Sequence, residues 1–373
     1  VADSLKAACC SSNSNWVDNV GFDPVKSALT GQDVIEYLDA YFRPEAKVLF
    51  IGNMGFSVDA TFCARRLAAN PNVDFRFIFE RRPDVPHEIR SLAKAREEEL
   101  RAVLGPRLVI EPIDVCASDG APLAGRNACR QTHQWFTSTK YTDVVVDGTG
   151  MSRSTCFPVV KQMIAYGRRD KIRVHLLVAD SDGDGSAGIE SVSGERGDWI
   201  HGFQGEVDTD GMSKALRLWV VQLKEGAGPV LNRLFSDLDT PSEVCPIVPF
   251  PAALPTRGDR LLFDLRERWI DDWGESPLSL IYADESDPTD VYRSIVELHE
   301  ARQESLSGAQ ISSVTILSPL GRRLPSIGML LAAQAYGLPI YYLETVGYKV
   351  NGTVQLAASA EPDHLWCFRF LPL

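Results

Sequence analysis

The sequence predicts an α/β protein made of two halves with mostly parallel sheets. Three observations carry this prediction. Short apolar runs of strand length alternate with stretches of helical spacing. Many of the runs are apolar throughout, as strands covered on both faces must be. One phrase also occurs twice. Val144-Val145-Val146-Asp147-Gly148-Thr149-Gly150-Met151-Ser152-Arg153 stands near the middle, and Val314-Thr315-Ile316-Leu317-Ser318-Pro319-Leu320-Gly321-Arg322-Arg323 near the end. Each reads as a buried strand, a small-residue turn and a basic residue where a helix begins.

Residues 1–45 form an N-terminal extension. Within it Val34, Ile35, Leu38 and Tyr41 fall at helical spacing. The first half covers 46–240. Its predicted strands are 47–51, 74–79, 107–111, 143–146 and 172–178, each an apolar run bounded by turn residues. Its predicted helices are 58–69, 88–104, 124–136 and 156–166. Residues 180–215 are rich in Gly, Asp and Ser without periodicity and read as an irregular insertion. A strand over 216–221 and a helix over 230–238 follow. Residues 241–256 carry Pro246, Pro249, Pro251 and Pro255. Proline removes a backbone donor, so this segment reads as an extended crossing, neither helix nor central strand. The second half, 257–373, repeats the alternation. Helices are predicted over 257–270, 290–302 and 324–336, and strands over 278–282, 314–317 and 340–343. The tail, 353–357 and 365–370, reads as an edge hairpin.

Composition narrows the function. A chain of 373 residues accommodates two domains. A formal net charge of −12 repels nucleic acid, so extended DNA binding is not expected. Basic residues cluster only as pairs. Arg65-Arg66, Arg81-Arg82 and Arg168-Arg169 read as solvated surface or helix-end charge. The eight cysteines include no C-x-x-C pair, which points to buried reduced thiols and away from structural zinc. No basic-then-apolar leader opens the chain, and no apolar stretch approaches the ~20 residues of a membrane span. The expectation is a soluble cytoplasmic protein with no membrane contact.

In open parallel sheets, ligands bind at the carboxyl ends of the strands. Gly52-Asn53-Met54-Gly55, Glu80, Asp114, Asp147 with Thr149, and Asp180-Ser181-Asp182-Gly183-Asp184-Gly185 follow the five strands of the first half. Gly52 and Gly55 permit close approach of backbone to a ligand, or simply a tight turn. A helix N-terminus carries unpaired N–H groups and partial positive charge, and so suits phosphate. On this logic Ser152 and Arg153 complete one candidate anion pocket. Ser318, Gly321, Arg322 and Arg323 form the other, where arginines can fork to phosphate oxygens. Asp147 is expected on a sugar or base of a nucleotide-type ligand. Asp180, Asp182 and Asp184 begin like an EF-hand loop, but position twelve is Ser191 where that loop needs Glu. Calcium there, or magnesium on Asp147, Asp180 and Asp182 for phosphoryl transfer, stays open beside a plain acidic loop. His201 is the histidine best placed for site chemistry.

Two resemblances follow from these residues. Glu80, Asp114 and Asp147 resemble the acidic markers of class I methyltransferases, which implies S-adenosylmethionine with Glu80 on its ribose and Asp114 near its base. The second half, from Ser318 through Ile340-Tyr341-Tyr342-Leu343-Glu344, is similar to CARF-type sensor domains, and the duplication to SAVED domains, which fuse two such Rossmann-like units. These belong to prokaryotic defence systems. The resemblance implies a regulatory protein that binds a cyclic oligonucleotide and acts with an effector partner. An interaction scaffold and a homodimer also remain open.

Overall fold

The computed structural model describes residues 23–42, 45–182, 188–205, 215–239, 241–271, 280–352 and 361–371. The described residues divide into two compact units. One takes Phe22–Glu195 and Leu343–Leu373, and the other Arg196–Tyr342.

The first unit is built on seven strands. In chain order it contains β1 (Ala28–Thr30), α1 (Gln32–Tyr41), β2 (Val48–Asn53), α2 (Phe62–Leu67), β3 (Val73–Arg81), α3 (His87–Leu104) and β4 (Leu108–Asp114). Then come α4 (Ala124–Ser138), β5 (Asp143–Asp147), α5 (Arg153–Asp170) and β6 (Arg173–Asp180). The C-terminal strand β13 (His364–Phe370) returns to this sheet, whose order is β1-β13-β6-β5-β2-β3-β4. β6 through β4 run parallel, and β13 is antiparallel to β6 and to β1. Every residue of β2 and β5 is buried, as helices on both faces require. Phe50 lies between Phe75 and Phe77, all three fully buried. Each ring contributes about 1.5–3 kcal/mol through removal from water.

The N-terminal edge of this sheet is closed by a polar knot. Asp143 accepts from Tyr41 (3.0 Å), Arg173 (2.9 Å) and Thr142 (2.7 Å), and lies 3.1 Å from His175 Nε2. Asp143 and His175 are both fully buried. Burial alone would raise the Asp143 carboxyl, but the hydrogen bonds from His175, Thr142 and Arg173 outweigh it and bring it down to about 2. The knot ties α1 to the sheet and leaves the opposite, C-terminal edge for chemistry.

The second unit carries β8 (Leu216–Gln222), α6 (Gly228–Asp237), β9 (Glu243–Pro249), α7 (Arg257–Asp271), β10 (Ile281–Ala283), α8 (Pro288–Ser307), β11 (Ser313–Ser318) and α9 (Arg323–Tyr336). Its sheet is parallel throughout, in the order β10-β9-β8-β11. That order matches β4-β3-β2-β5 of the first unit. In both, three strands are laid down in one direction and the fourth returns beside the first. The duplication is therefore topological, and the doubled phrase supplies the fourth strand each time. The chain leaves the first unit within β7 (Ile189–Trp199) and re-enters it within β12 (Tyr341–Val350), and these strands pair with each other.

Four sequence expectations change. The first half does not end at residue 240, because β8 and β9 pair with β10 and β11 and belong to the second unit. The second half does not run to the C-terminus, because β13 fills a slot between β1 and β6 where Leu365, Cys367 and Phe368 are buried. Residues 180–215 are not wholly irregular: 189–199 form β7, whose mixed exposure leaves no apolar run in the sequence. The proline-dense crossing contains a central strand, β9. Its partner β10 begins only opposite Ile247, so Pro246 lies outside the ladder on that side. Of the tail, 353–357 lie outside the described residues.

Candidate functional site

The doubled phrase is repeated in backbone geometry as well as in sequence. Ser152, the N-cap of α5, has φ −65° and ψ 160°. Arg322, the N-cap of α9, has φ −63° and ψ 162°. Neither helix start receives a side-chain capping bond from its N-cap. In each unit the strand at the switch point, β2 or β8, ends in a buried carboxamide that donates to a carbonyl of the phrase, in the turn of the first copy and at the N-cap of the second. Asn53 Nδ2 donates to Gly150 O at 2.8 Å, and Gln222 Nε2 to Arg322 O at 2.9 Å. The turn glycines are needed because the chains nearly touch. A Cβ on Gly150 would stand 2.8 Å from Ala60 Cβ, and one on Gly321 would stand 2.6 Å from Leu223 O.

These turns lie at the switch points of the two sheets, where strand order reverses and open α/β sheets hold their ligands. A glutamate sits at each edge. In the seven-stranded unit, Glu80 Oε1 accepts from the Ser152 N–H (3.1 Å) and the Ser152 hydroxyl (2.8 Å). Its Oε2 is 2.6 Å from Arg82 Nη2. The side chains of Arg82 and Glu80 are only 3% and 6% exposed. Arg82 Nε also donates to Tyr348 (3.2 Å). Glu344 is buried beside this cluster and accepts from the Thr345 N–H at 3.0 Å. Burial, reinforced by the Glu80 charge, outweighs the Ser154 hydrogen bond and the Arg82 charge and pushes the Glu344 carboxyl up to about 7.

In the four-stranded unit the glutamate is Glu285, just beyond β10. Its Oε1 is 2.8 Å from Arg257 Nη1, its Oε2 is 3.6 Å from Arg322 Nη1, and Oε2 accepts from the Ala253 N–H at 3.2 Å. The carboxylate is 6% exposed, while Arg257 and Arg322 are 24% and 18% exposed. Arg257 opens α7 and also faces Glu225 at 3.7 Å. Beside it, α7 and the glycine-containing turn from β8 to α6 enclose a half-open cleft of about 250 Å³. Leu223, Leu231, Leu261 and Leu265 make its apolar wall, with Lys224 and Asp264 as its charged groups.

The remaining predicted residues serve the fold in various ways. Gly52 packs against the Phe77 ring and Gly55 beside Asn53. Asp147 is buried and accepts the Thr149 N–H at 3.0 Å, and the Thr149 hydroxyl accepts from Ala179 N. The Ser318 hydroxyl, also buried, accepts from Trp219 and donates to Tyr341 O. Asp114 forms an exposed pair with Arg81 (2.9 Å), away from Glu80. Arg153 and Arg323 are the half-buried first residues of their helices. Asp182 pairs with His364 at 3.0 Å. His201 is exposed and in the other unit from Asp180 and Asp182. Asp184 lies outside the described residues. Among the described residues no group of three or more metal-ligating side chains is assembled, so Asp147, Asp180 and Asp182 do not meet around one ion.

The sequence pattern assigns no site role to Arg82, Asn53, Gln222, Arg257 or Glu344. The Arg81-Arg82 pair reads as solvated charge, yet Arg82 is among the most enclosed arginines of the described residues. A usable signal existed for the carboxamides, because Asn53 and Gln222 both end an otherwise apolar strand.

No protein-family model and no curated protein matches the chain. Solved structures are similar to it at low levels. A universal stress protein from Archaeoglobus fulgidus DSM 4304 is 11% identical over 82% of this chain and 98% of its own, with a TM-score of 0.23. A putative universal stress protein from Pseudomonas aeruginosa UCBPP-PA14 is 10% identical over 81% and 95%, with a TM-score of 0.24. A UDP-N-acetylglucosamine 2-epimerase is 12% identical over 74% and 78%, also with a TM-score of 0.24.

Proposed function

We propose that the protein binds a phosphate-bearing, nucleotide-type ligand at the C-terminal edge of the four-stranded sheet. It would act as a regulatory binding protein that passes occupancy on to a protein partner. The observation carrying this reading is the convergence of Arg257 and Arg322, from separate elements, on Glu285 at a sheet switch point, in the unit that also holds a small cleft of mixed polarity along α7. Arginine suits the task because its planar fork matches phosphate oxygens. The N–H groups at the start of α9 add partial positive charge. At about 250 Å³ the cleft falls below the ~300–1,000 Å³ of whole drug-sized ligand sites, so it takes one part of a ligand, such as a base or sugar.

Calorimetric titration of the full chain with ATP, cyclic oligonucleotides and S-adenosylmethionine tests the proposal. A nucleotide or oligonucleotide is expected to bind, and Arg322→Ala to weaken it. Loss of one charge-assisted hydrogen bond costs about 1.5–3 kcal/mol, or roughly ten- to a hundredfold in affinity. Undiminished binding by both Arg322→Ala and Arg257→Ala would remove the site from this edge. Binding of S-adenosylmethionine alone would move attention to the methyl-donor reading.

A further inference from the structure

The two sheet edges share a device that has no counterpart in the doubled phrase itself. Each positions a buried glutamate where an anionic ligand would sit, held by the partners a phosphate would use. Glu80 takes an arginine, a helix-start N–H and a hydroxyl. Glu285 takes two arginines and a backbone N–H. A carboxylate and a phosphate present similar oxygens to such donors, so each glutamate is a resident anion.

The two seats differ in how firmly they are filled. Glu80 meets Arg82 at 2.6 Å, with both side chains nearly excluded from solvent. Glu285 meets Arg322 only at 3.6 Å, and both of its arginines reach solvent. Resting on the function proposed above, we infer that the Glu285 carboxylate is an internal competitor at the ligand's phosphate seat. Ligand binding proceeds by exchange: an incoming phosphate takes Arg322, then Arg257, and the Glu285 carboxylate gives way. No covalent bond changes. The seat at Glu80 is locked and does not exchange.

Titration of the full chain with inorganic pyrophosphate tests this. Glu285→Gln keeps the side-chain shape and the acceptor for the Ala253 N–H while removing the competing charge. It is expected to bind pyrophosphate at least tenfold more tightly than the natural chain. Adding Arg322→Gln should abolish the gain, and Glu80→Gln should produce none. Far-UV circular dichroism checks that each variant is folded. If Glu285→Gln does not fold, Glu285→Asp, whose carboxylate is drawn back by one methylene, should still tighten binding severalfold. Unchanged or weaker pyrophosphate binding by the folded variants overturns the inference. Failure here is separable from failure of the proposed function. A natural chain that binds nucleotide and is indifferent to Glu285→Gln keeps the function and loses the competitor. A natural chain that binds no nucleotide, with a Glu285→Gln variant that gains pyrophosphate, does the reverse.

Discussion

Charge placement dominates at the scale of single residues. Glu80, Arg82 and Glu344 are enclosed together, with two carboxylates for one arginine. Glu344 relieves the imbalance by holding its proton into the neutral range, about 7 against an ordinary 4.5. The sign follows from linkage. A carboxyl whose folded value is raised binds its proton more tightly in the folded state. Its contribution is complete below about 4.5, declines as pH rises, and is gone above about 7. The shift corresponds to on the order of 3 kcal/mol. Glu344→Gln mimics the protonated form and should flatten this part of the stability profile. Urea unfolding of both proteins between pH 4.5 and 8 checks it. The variant should gain on the natural chain as pH rises, and parallel profiles would refute the assignment. The same scale separates two arginine pairs that look alike in sequence. Arg81 pairs at the surface with Asp114, whereas Arg82, one residue on, is almost fully enclosed. Arg81 is the last residue of β3 and Arg82 the first beyond it, and composition alone cannot separate them.

At the scale of elements, the switch points are joined by side chains. Gln222 ends β8, donates to Arg322 O and accepts from the Ser326 hydroxyl at 2.8 Å. It thereby sets the start of α9 and the position of Arg322. Asn53 joins β2 to the turn before α5 in the same way. Gln222→Ala should cost about 1–2 kcal/mol, because it removes a buried side chain and its two hydrogen bonds, while the Ser326 hydroxyl keeps its bond to Arg322 O at 2.8 Å. The change in urea midpoint at constant slope measures this. Ligand affinity should fall as well, since Arg322 loses its support. The proline-dense segment belongs to this scale too. Proline is excluded from a strand only where its missing N–H would have been used, and the three-residue β10 leaves that side of Pro246 without a ladder.

At the scale of the whole molecule, the described residues of one unit are continuous in sequence and those of the other are not. The four-stranded unit lies within Arg196–Tyr342, but the seven-stranded sheet needs β13 from the C-terminus between β1 and β6. A fragment spanning 196–342 should therefore unfold cooperatively on its own. A fragment ending at residue 195 should not, because it leaves the faces of β1 and β6 without Leu365, Cys367 and Phe368. Circular dichroism melts of the two fragments distinguish these outcomes. Adding a peptide of residues 343–373 should restore cooperativity to the second fragment. Among the described residues no helix is long and apolar enough to cross a membrane, which agrees with the absence of a long apolar run in the sequence.

The fold class, the alternation of strands and helices and the doubled phrase are legible in the residues alone, because these rest on local periodicity and composition. Strands such as 48–53 and 143–147 are buried on both faces, and burial of that kind writes itself directly into residue choice. The strand ends and helix starts that bear the candidate site were legible for the same reason. Which strands share a sheet, the return of β13 to the first unit and the central place of β9 despite its prolines depend on long-range pairing and emerge in three dimensions. The tertiary structure also decides that Glu80, expected from sequence on a ligand, is already engaged by its near neighbour Arg82, and that Glu285 is engaged by Arg257 and Arg322, both distant from it in the chain. Arg322 and Glu285 are brought together by loop closure and β-strand pairing, and no local pattern records a contact of that kind.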